Sequence, residues 1–200
     1  MNRFVENPKQ IRIAIITNVI PSYRYDFYRR VVHHDDLDVT IFCQSHIPGM
    51  NLELIDKEFG KSAVRSPFWS LSREKLAWQF LPFRRLLRNF DVYFFYGNPR
   101  VLSNVIYATI FKLLGKKVVI WGQAHTWGAD KLFESIRLAW WRVFDFILVY
   151  TGKEAESIRR RGFRRQVVKE INNGLDQEAI ENAISMWPVV RASRRCPRQT

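Results

Sequence analysis

The stretch IRIAIIT (residues 11–17), closed by Asn18 and followed by Pro21-Ser22-Tyr23-Arg24, decides the fold. Its residues are mostly β-branched and apolar, and they do not alternate with polar ones as a half-exposed strand requires. They read as a strand buried on both faces, the habit of parallel sheets covered by helices. Pro21 and Ser22 then open a helical segment in which Tyr23, Phe27 and Val31 recur at helical spacing.

The alternation continues along the chain. DVTIFC (38–43) is a second strand, and residues 44–72 are irregular, with Pro48, Gly49, Gly60, Pro67 and a weak strand candidate over 52–55. Helical pattern returns over 73–89, interrupted by Pro82. DVYFFY (91–96) is a strand before a helix over 101–114. KKVVIW (116–121) is a strand before a loop through Asp130 and a helix over 131–144. Residues 146–150 form a strand, 153–161 a helix ended by Gly162 as a left-handed cap, and 167–171 the last strand. Strands of this apolar kind alternating with helices predict an α/β fold, a Rossmann-like parallel sheet with helices on both faces. Residues 1–186 form one domain. Residues 187–200 (WPVVRASRRCPRQT), rich in arginine and proline and free of acidic residues, read as a basic, disordered tail.

An apolar share of 47% over 200 residues is enough to bury a sizeable core. The net charge of +13 predicts attraction to anionic surfaces, and the excess of Arg over Lys favours phosphate-rich ones. Cys43 ends an apolar run and reads as a small core residue, while Cys196 lies in the tail; two cysteines make no disulfide framework. Residues 1–10 lack the apolar core of a signal peptide, and no stretch reaches the roughly 20 apolar residues of a spanning helix. The expectation is a cytoplasmic chain, soluble or attached peripherally to the inner face of a membrane.

Ligands of parallel α/β sheets lie outside the carboxyl ends of the strands, so chemistry is expected in the loops that follow them. The first loop carries Asn18, Tyr23 and Arg24, and reads either as a mouth for an anion or sugar hydroxyls or as an ordinary strand-to-helix turn. Neither G-x-G-x-x-G nor a P-loop occurs. Gly97 and Asn98 follow another strand as a turn before Arg100. The loop Trp121-Gly122-Gln123-Ala124-His125-Thr126-Trp127-Gly128 is the richest, with glycines for close backbone approach, Gln123 and His125 for hydrogen bonding, and tryptophan faces on which sugars stack; the alternative is a structural histidine between core tryptophans. Thr151 is a plausible cap for the helix beyond it. His33-His34-Asp35-Asp36 lies at the opposite end of the strands, where histidines suit a helix C-terminus, and no metal site is expected. Residues 67–90 mix tryptophan and phenylalanine with arginine, as either a core helix with a basic outer face or an interfacial membrane segment.

Taken in order, the Thr17-Asn18 strand end with Pro21-Ser22-Tyr23-Arg24, the Trp121-Gly122 loop, the strand leading into Thr151-Gly152-Lys153-Glu154 and the closing Ile171-Asn172-Asn173-Gly174-Leu175-Asp176 resemble the N-terminal, acceptor-side domain of a family-four-type retaining glycosyltransferase of the GT-B fold. The resemblance spans about residues 11–184. It implies that acceptor binding falls to Asn18, Tyr23, Arg24, Gly97, Asn98, Gly122, Gln123 and His125. Relatives often continue Trp-Gly with His-Gly, so either Gln123 or His125 stands at the place of that histidine. The resemblance further implies a second domain that binds a nucleotide-sugar donor and carries glutamates seven apart, with retention achieved without a protein nucleophile. These 200 residues hold no such domain, so no cofactor is expected on this chain and no catalytic residue is assigned.

The functional expectation is the acceptor-binding half of a glycosyltransferase of envelope or polysaccharide synthesis, inactive alone. Its expected partners are a saccharide or lipid-linked acceptor, an anionic membrane surface and a separate donor-binding domain. The alternative is a non-enzymatic basic module for membrane or nucleic acid. Arginines scattered over many elements, with no helix-turn-helix, RNP or zinc signature, weigh against nucleic acid.

Overall fold

Ile13 and Ile15 pack on one side of the sheet while Ala14 and Ile16 pack on the other, as a strand buried on both faces requires. The structure is a computed structural model and describes residues 10–44, 54–71, 76–123, 131–171, 181–182 and 184–185. In chain order the strands are β1 (Ile11–Ile16), β2 (Leu37–Cys43), β3 (Ala63–Arg65), β4 (Phe68–Leu71), β5 (Leu76–Gln79), β6 (Val92–Tyr96), β7 (Lys117–Trp121), β8 (Phe146–Val149) and β9 (Val167–Glu170). The helices are α1 (Tyr25–Val32), α2 (Phe83–Asn89), α3 (Leu102–Leu113), α4 (Lys131–Trp141) and α5 (Gly152–Arg160).

Seven strands form one parallel sheet in the order β3-β2-β1-β6-β7-β8-β9, a Rossmann-like α/β architecture. The chain steps outward from β1 to β2 and β3, returns to lay β6 against the free side of β1, and then steps the other way to β9. The two directions part between β1 and β6, which opens a crevice at the carboxyl ends of these strands. One face of the sheet packs on residues of α2 to α5, among them Leu86, Phe111, Trp141 and Ile158, with Tyr93 stacked on Phe111 at 3.9 Å between ring centroids. The other face packs on α1 through Tyr28 and on the 3-10 segment Asp56–Ser62 through Phe59. Cys43 is a buried free thiol whose burial pushes its pKa up to about 12, so it packs as a small apolar group.

Residues 44–72 are less irregular than their turn residues suggest. Within them lie the 3-10 segment, β3 and β4, while Leu54 makes an isolated bridge with Pro21. The helix expected over 73–89 is a correction: Leu76–Gln79 is a strand, paired antiparallel with Phe68–Leu71, and helix begins only at Phe83. Pro82 accounts for the boundary, because it lacks the N–H that a helix interior needs and its ring clashes with the preceding turn. Leu76, Trp78 and Phe80 also alternate with Ala77 and Gln79, a period of two. Gln79 is buried, and its amide nitrogen lies within hydrogen-bond distance of the carbonyls of Thr17 (3.1 Å) and Phe42 (3.2 Å) and of Ser66 Oγ (2.7 Å). That side chain pins the hairpin across the carboxyl ends of β1 and β2. The last turn of the helix expected over 131–144 also stops short, α4 ending at Trp141. The Asn-Gly-x-Asp turn over 172–176 and the basic tail lie outside the described residues.

At the amino edge of the sheet, Arg12 and Asp91 pair in a fork (2.9 and 3.1 Å) that ties β1 to the start of β6. Asp145 accepts from Lys112 of α3 at 2.5 Å and from the Val118 N–H of β7 at 3.0 Å, while its carbonyl accepts from Val167 of β9. Burial would raise the Asp145 pKa, but the Lys112 and Val118 hydrogen bonds outweigh it and hold the carboxyl below the usual range. A carboxylate with a depressed folded pKa stabilises the protein fully above the unfolded value of about 3.9 and loses that stabilisation as pH falls through the folded pKa. Replacement by Asn (D145N) is therefore expected to cost about 1–3 kcal/mol at neutral pH and to shrink the mutant's deficit below about pH 4. Urea melts of both proteins across pH check it; a deficit that stays constant into acid contradicts the assignment.

Candidate functional site

The crevice between β1 and β6 is an open pocket of ≈150 Å³ lined by the end of β1, by Phe94 and Tyr96 of β6, by Trp121 of β7 and by the segment leading into α1. Thr17 directly follows β1 with its hydroxyl turned onto the Val19 carbonyl at 3.2 Å, and Asn18 is held through its own carbonyl by the Gln44 N–H at 2.8 Å. Pro21, in extended conformation, starts the 3-10 turn Ser22–Arg24 that runs into α1, and its bridge to Leu54 fixes the turn against the rest of the fold.

Arg24 is the central side chain. Its guanidinium carbon lies 4.0 Å from the centre of the Trp121 ring and 5.5 Å from those of both Tyr23 and Tyr150. Its Nη2 donates to the Tyr150 hydroxyl at 2.8 Å. Burial works against the charge, yet that hydrogen bond together with the electrostatic pull of the surrounding tyrosine hydroxyls outweighs it, and the pKa is held above its ordinary value. Burial, followed by the Tyr150 hydroxyl, raises Tyr96, and burial pushes Tyr28 up to about 12 although Thr17 pulls the other way. The pocket thus offers a fixed cation, flat apolar walls and hydroxyl groups, with no acidic residue in its lining among the described residues. Such an arrangement suits hydroxyl-rich and anionic ligands.

Of the residues expected to form a site, Asn18, Tyr23 and Arg24 come together in the pocket. Gly97 and Gly122 face one another at the adjoining ends of β6 and β7. A Cβ on Gly97 would lie 3.0 Å from the Trp121 carbonyl and 3.2 Å from both Gly122 Cα and Trp141 Cζ2; one on Gly122 would lie 3.1 Å from Gly97 Cα. Their lack of side chains serves close approach between the two strand ends above a buried tryptophan. Asn98 makes the turn, its Oδ1 accepting from the Arg100 N–H at 3.1 Å. Gln123 is exposed, with its carbonyl held by Arg137 of α4 at 3.2 Å. His125 lies outside the described residues. Sequence reasoning missed Tyr96, which lines the pocket, and Tyr150, which holds Arg24, although each stands just before a loop residue that it did single out. Thr151 caps α5 by accepting from the Glu154 N–H at 3.2 Å.

Among the described residues no group of His, Cys, Asp and Glu is placed to hold a metal ion. His33 sits over the Arg29 carbonyl at the end of α1, and His34 accepts from the Asp36 N–H, both exposed and at the amino edge of the sheet. No helix among the described residues is long and apolar enough to cross a membrane.

No protein-family model matches the chain, and no curated protein does. Among solved structures, a chain of sucrose-phosphate synthase from Thermosynechococcus elongatus is similar in fold, with a TM-score of 0.50 and 14% sequence identity over 87% of this chain and 95% of that one.

The glycine pair yields a direct prediction. G97A is expected to cost about 1–3 kcal/mol, because the atoms it meets are mostly backbone of a paired strand and cannot swing aside. G152A, whose added Cβ meets nothing within 4 Å, serves as the control and should change stability little. Thermal melts of the two variants check this, and equal midpoints contradict it.

Proposed function

We propose that this domain is the acceptor side of a two-domain glycosyltransferase, receiving a saccharide or lipid-linked saccharide while a second domain supplies the nucleotide sugar. The observation that carries the reading is the pocket at the β1–β6 crevice, where Arg24, Tyr23, Tyr96 and Trp121 form a cationic, aromatic wall at the strand ends. The likeness in fold to a chain of sucrose-phosphate synthase supports it, as does the lack of any dinucleotide or P-loop motif at the first strand end. In this reading the domain positions the acceptor hydroxyl and the phosphate leaving group is stabilised elsewhere, so the domain alone transfers nothing. Envelope or polysaccharide synthesis on the cytoplasmic face of a membrane is the setting that fits a strongly basic chain.

An anionic membrane is the partner surface in this proposal, and the hairpin supports it. Trp69 stands opposite Trp78 in the β4–β5 register, so both lie on one face together with Leu76 and Phe80. With Leu102 of α3 these residues line a wholly apolar hollow of ≈290 Å³, and Trp69 and Phe80 are 57% and 52% exposed. Trp78 and Phe83 both pack on Tyr107 of α3, so the hairpin and α2 flank the same helix, and α2 exposes Arg84, Arg85 and Arg88. Aromatic rings beside arginines are the side chains that favour the headgroup layer of an anionic bilayer.

Two experiments test the proposal. Saturation-transfer NMR with simple saccharides and alkyl glycosides should show binding that falls about ten-fold in Y23A, an exposed residue outside the buried core; no binding to any saccharide contradicts the acceptor role. Cosedimentation with vesicles containing phosphatidylglycerol should fall about ten-fold in the double variant W69S/F80S. Unchanged sedimentation would remove the hairpin from the account.

A further inference from the structure

The pocket wall holds a cation for which the described residues supply no counterion. Arg24 is half-buried, with its guanidinium carbon 4.0 Å from the centre of the Trp121 ring and one nitrogen donating to the Tyr150 hydroxyl. No carboxylate among the described residues lines the pocket. The acidic side chain two residues on, Asp26, is turned to Arg29 and Arg30, at 2.8 and 2.6 Å. Ring faces stabilise the flat side of a guanidinium, but its N–H groups point outward in the plane and want acceptors. A guanidinium drawn partly out of water without an anion costs free energy that a ligand's anionic group would recover. Two contacts hold it in place: the Trp121 ring, whose centre lies 4.0 Å from the guanidinium carbon, and the Tyr150 hydroxyl at 2.8 Å. A fork fixed in this way matches the paired oxygens of a carboxylate or a phosphate.

We infer that the ligand of this pocket is an acidic saccharide, bound through a carboxylate or phosphate oxygen pair on Arg24 with the Tyr23 and Tyr96 hydroxyls beside it. The inference rests on the acceptor reading and names the chemical class of that acceptor. Tyr150 acts as a positioning residue, since it holds the guanidinium and is not needed to touch the anion.

The test uses the full chain and follows the Arg24 side-chain Nε–H resonance by NMR, identified by its loss in R24Q. The probes are glucose, glucuronate, glucose 1-phosphate and inorganic phosphate, at fixed ionic strength so that the overall positive charge contributes equally. The expected result is saturable movement of the Arg24 resonance with glucuronate or glucose 1-phosphate, at least about ten-fold tighter than with glucose. Whichever of the two acids binds more tightly identifies the anionic group. R24Q should lose that preference while keeping its melting temperature, and Y150F should weaken it without abolishing it. Equal affinity for glucose and its acids, or acid binding in R24Q as tight as in the parent, overturns the inference and leaves the acceptor reading standing. Inorganic phosphate that saturates Arg24 where no saccharide binds keeps an anion site but removes the saccharide from it, and with it the acceptor reading.

Discussion

The structure depends on how closely the ends of β6 and β7 approach each other. Gly97 and Gly122 meet backbone to backbone, with the Gly97 N–H donating to the Trp121 carbonyl at 2.7 Å and the Trp141 ring pressed against both. Any side chain at Gly97 would push β7, and the Trp121 ring with it, away from β6. Trp121 is the surface on which Arg24 lies, so a packing constraint on one side of the sheet sets the geometry of the pocket on the other. The glycines shape the site without having to touch a ligand.

Electrostatics complete what packing begins. The sheet changes direction between β1 and β6, and among the described residues that crevice carries no acidic residue in its lining, while Asp26 nearby is paired with Arg29 and Arg30. The result is a preorganised cation in a partly desolvated, aromatic setting, where its interaction with an anion is stronger than in bulk water. The hairpin of β4 and β5 adds an apolar face to the same end of the sheet. Its anchor is the buried Gln79 amide, bonded to carbonyls at the ends of β1 and β2.

Much of this was legible in the sequence because it follows from local pattern. Apolar runs such as IRIAIIT and KKVVIW announce parallel strands, Gly162 closes α5 with a left-handed φ of 83°, and Thr151 caps it as its type suggests. Residues 76–80 were harder to read, because a four-residue strand gives few repeats of its period and the arginines beyond Pro82 lend the whole stretch a helical rhythm. That Tyr96 lines the pocket and Tyr150 holds Arg24 does not follow from their places just before loops. It depends on which strands become neighbours, a fact of topology that brings residues 126 positions apart, Arg24 and Tyr150, into one hydrogen bond. The role of Gly97 and Gly122 was hidden for the same reason, since each needs its space because of the other.

The most direct test of the central claim, that the strand-end crevice is a saccharide site, is an amide chemical-shift map of the chain titrated with an alkyl glucuronide. The account predicts shifts gathered on residues 17–24, 96–98, 121–123 and 150, the four strand ends that converge on Arg24. Shifts confined to the hairpin, spread evenly over the basic surface, or absent would contradict it.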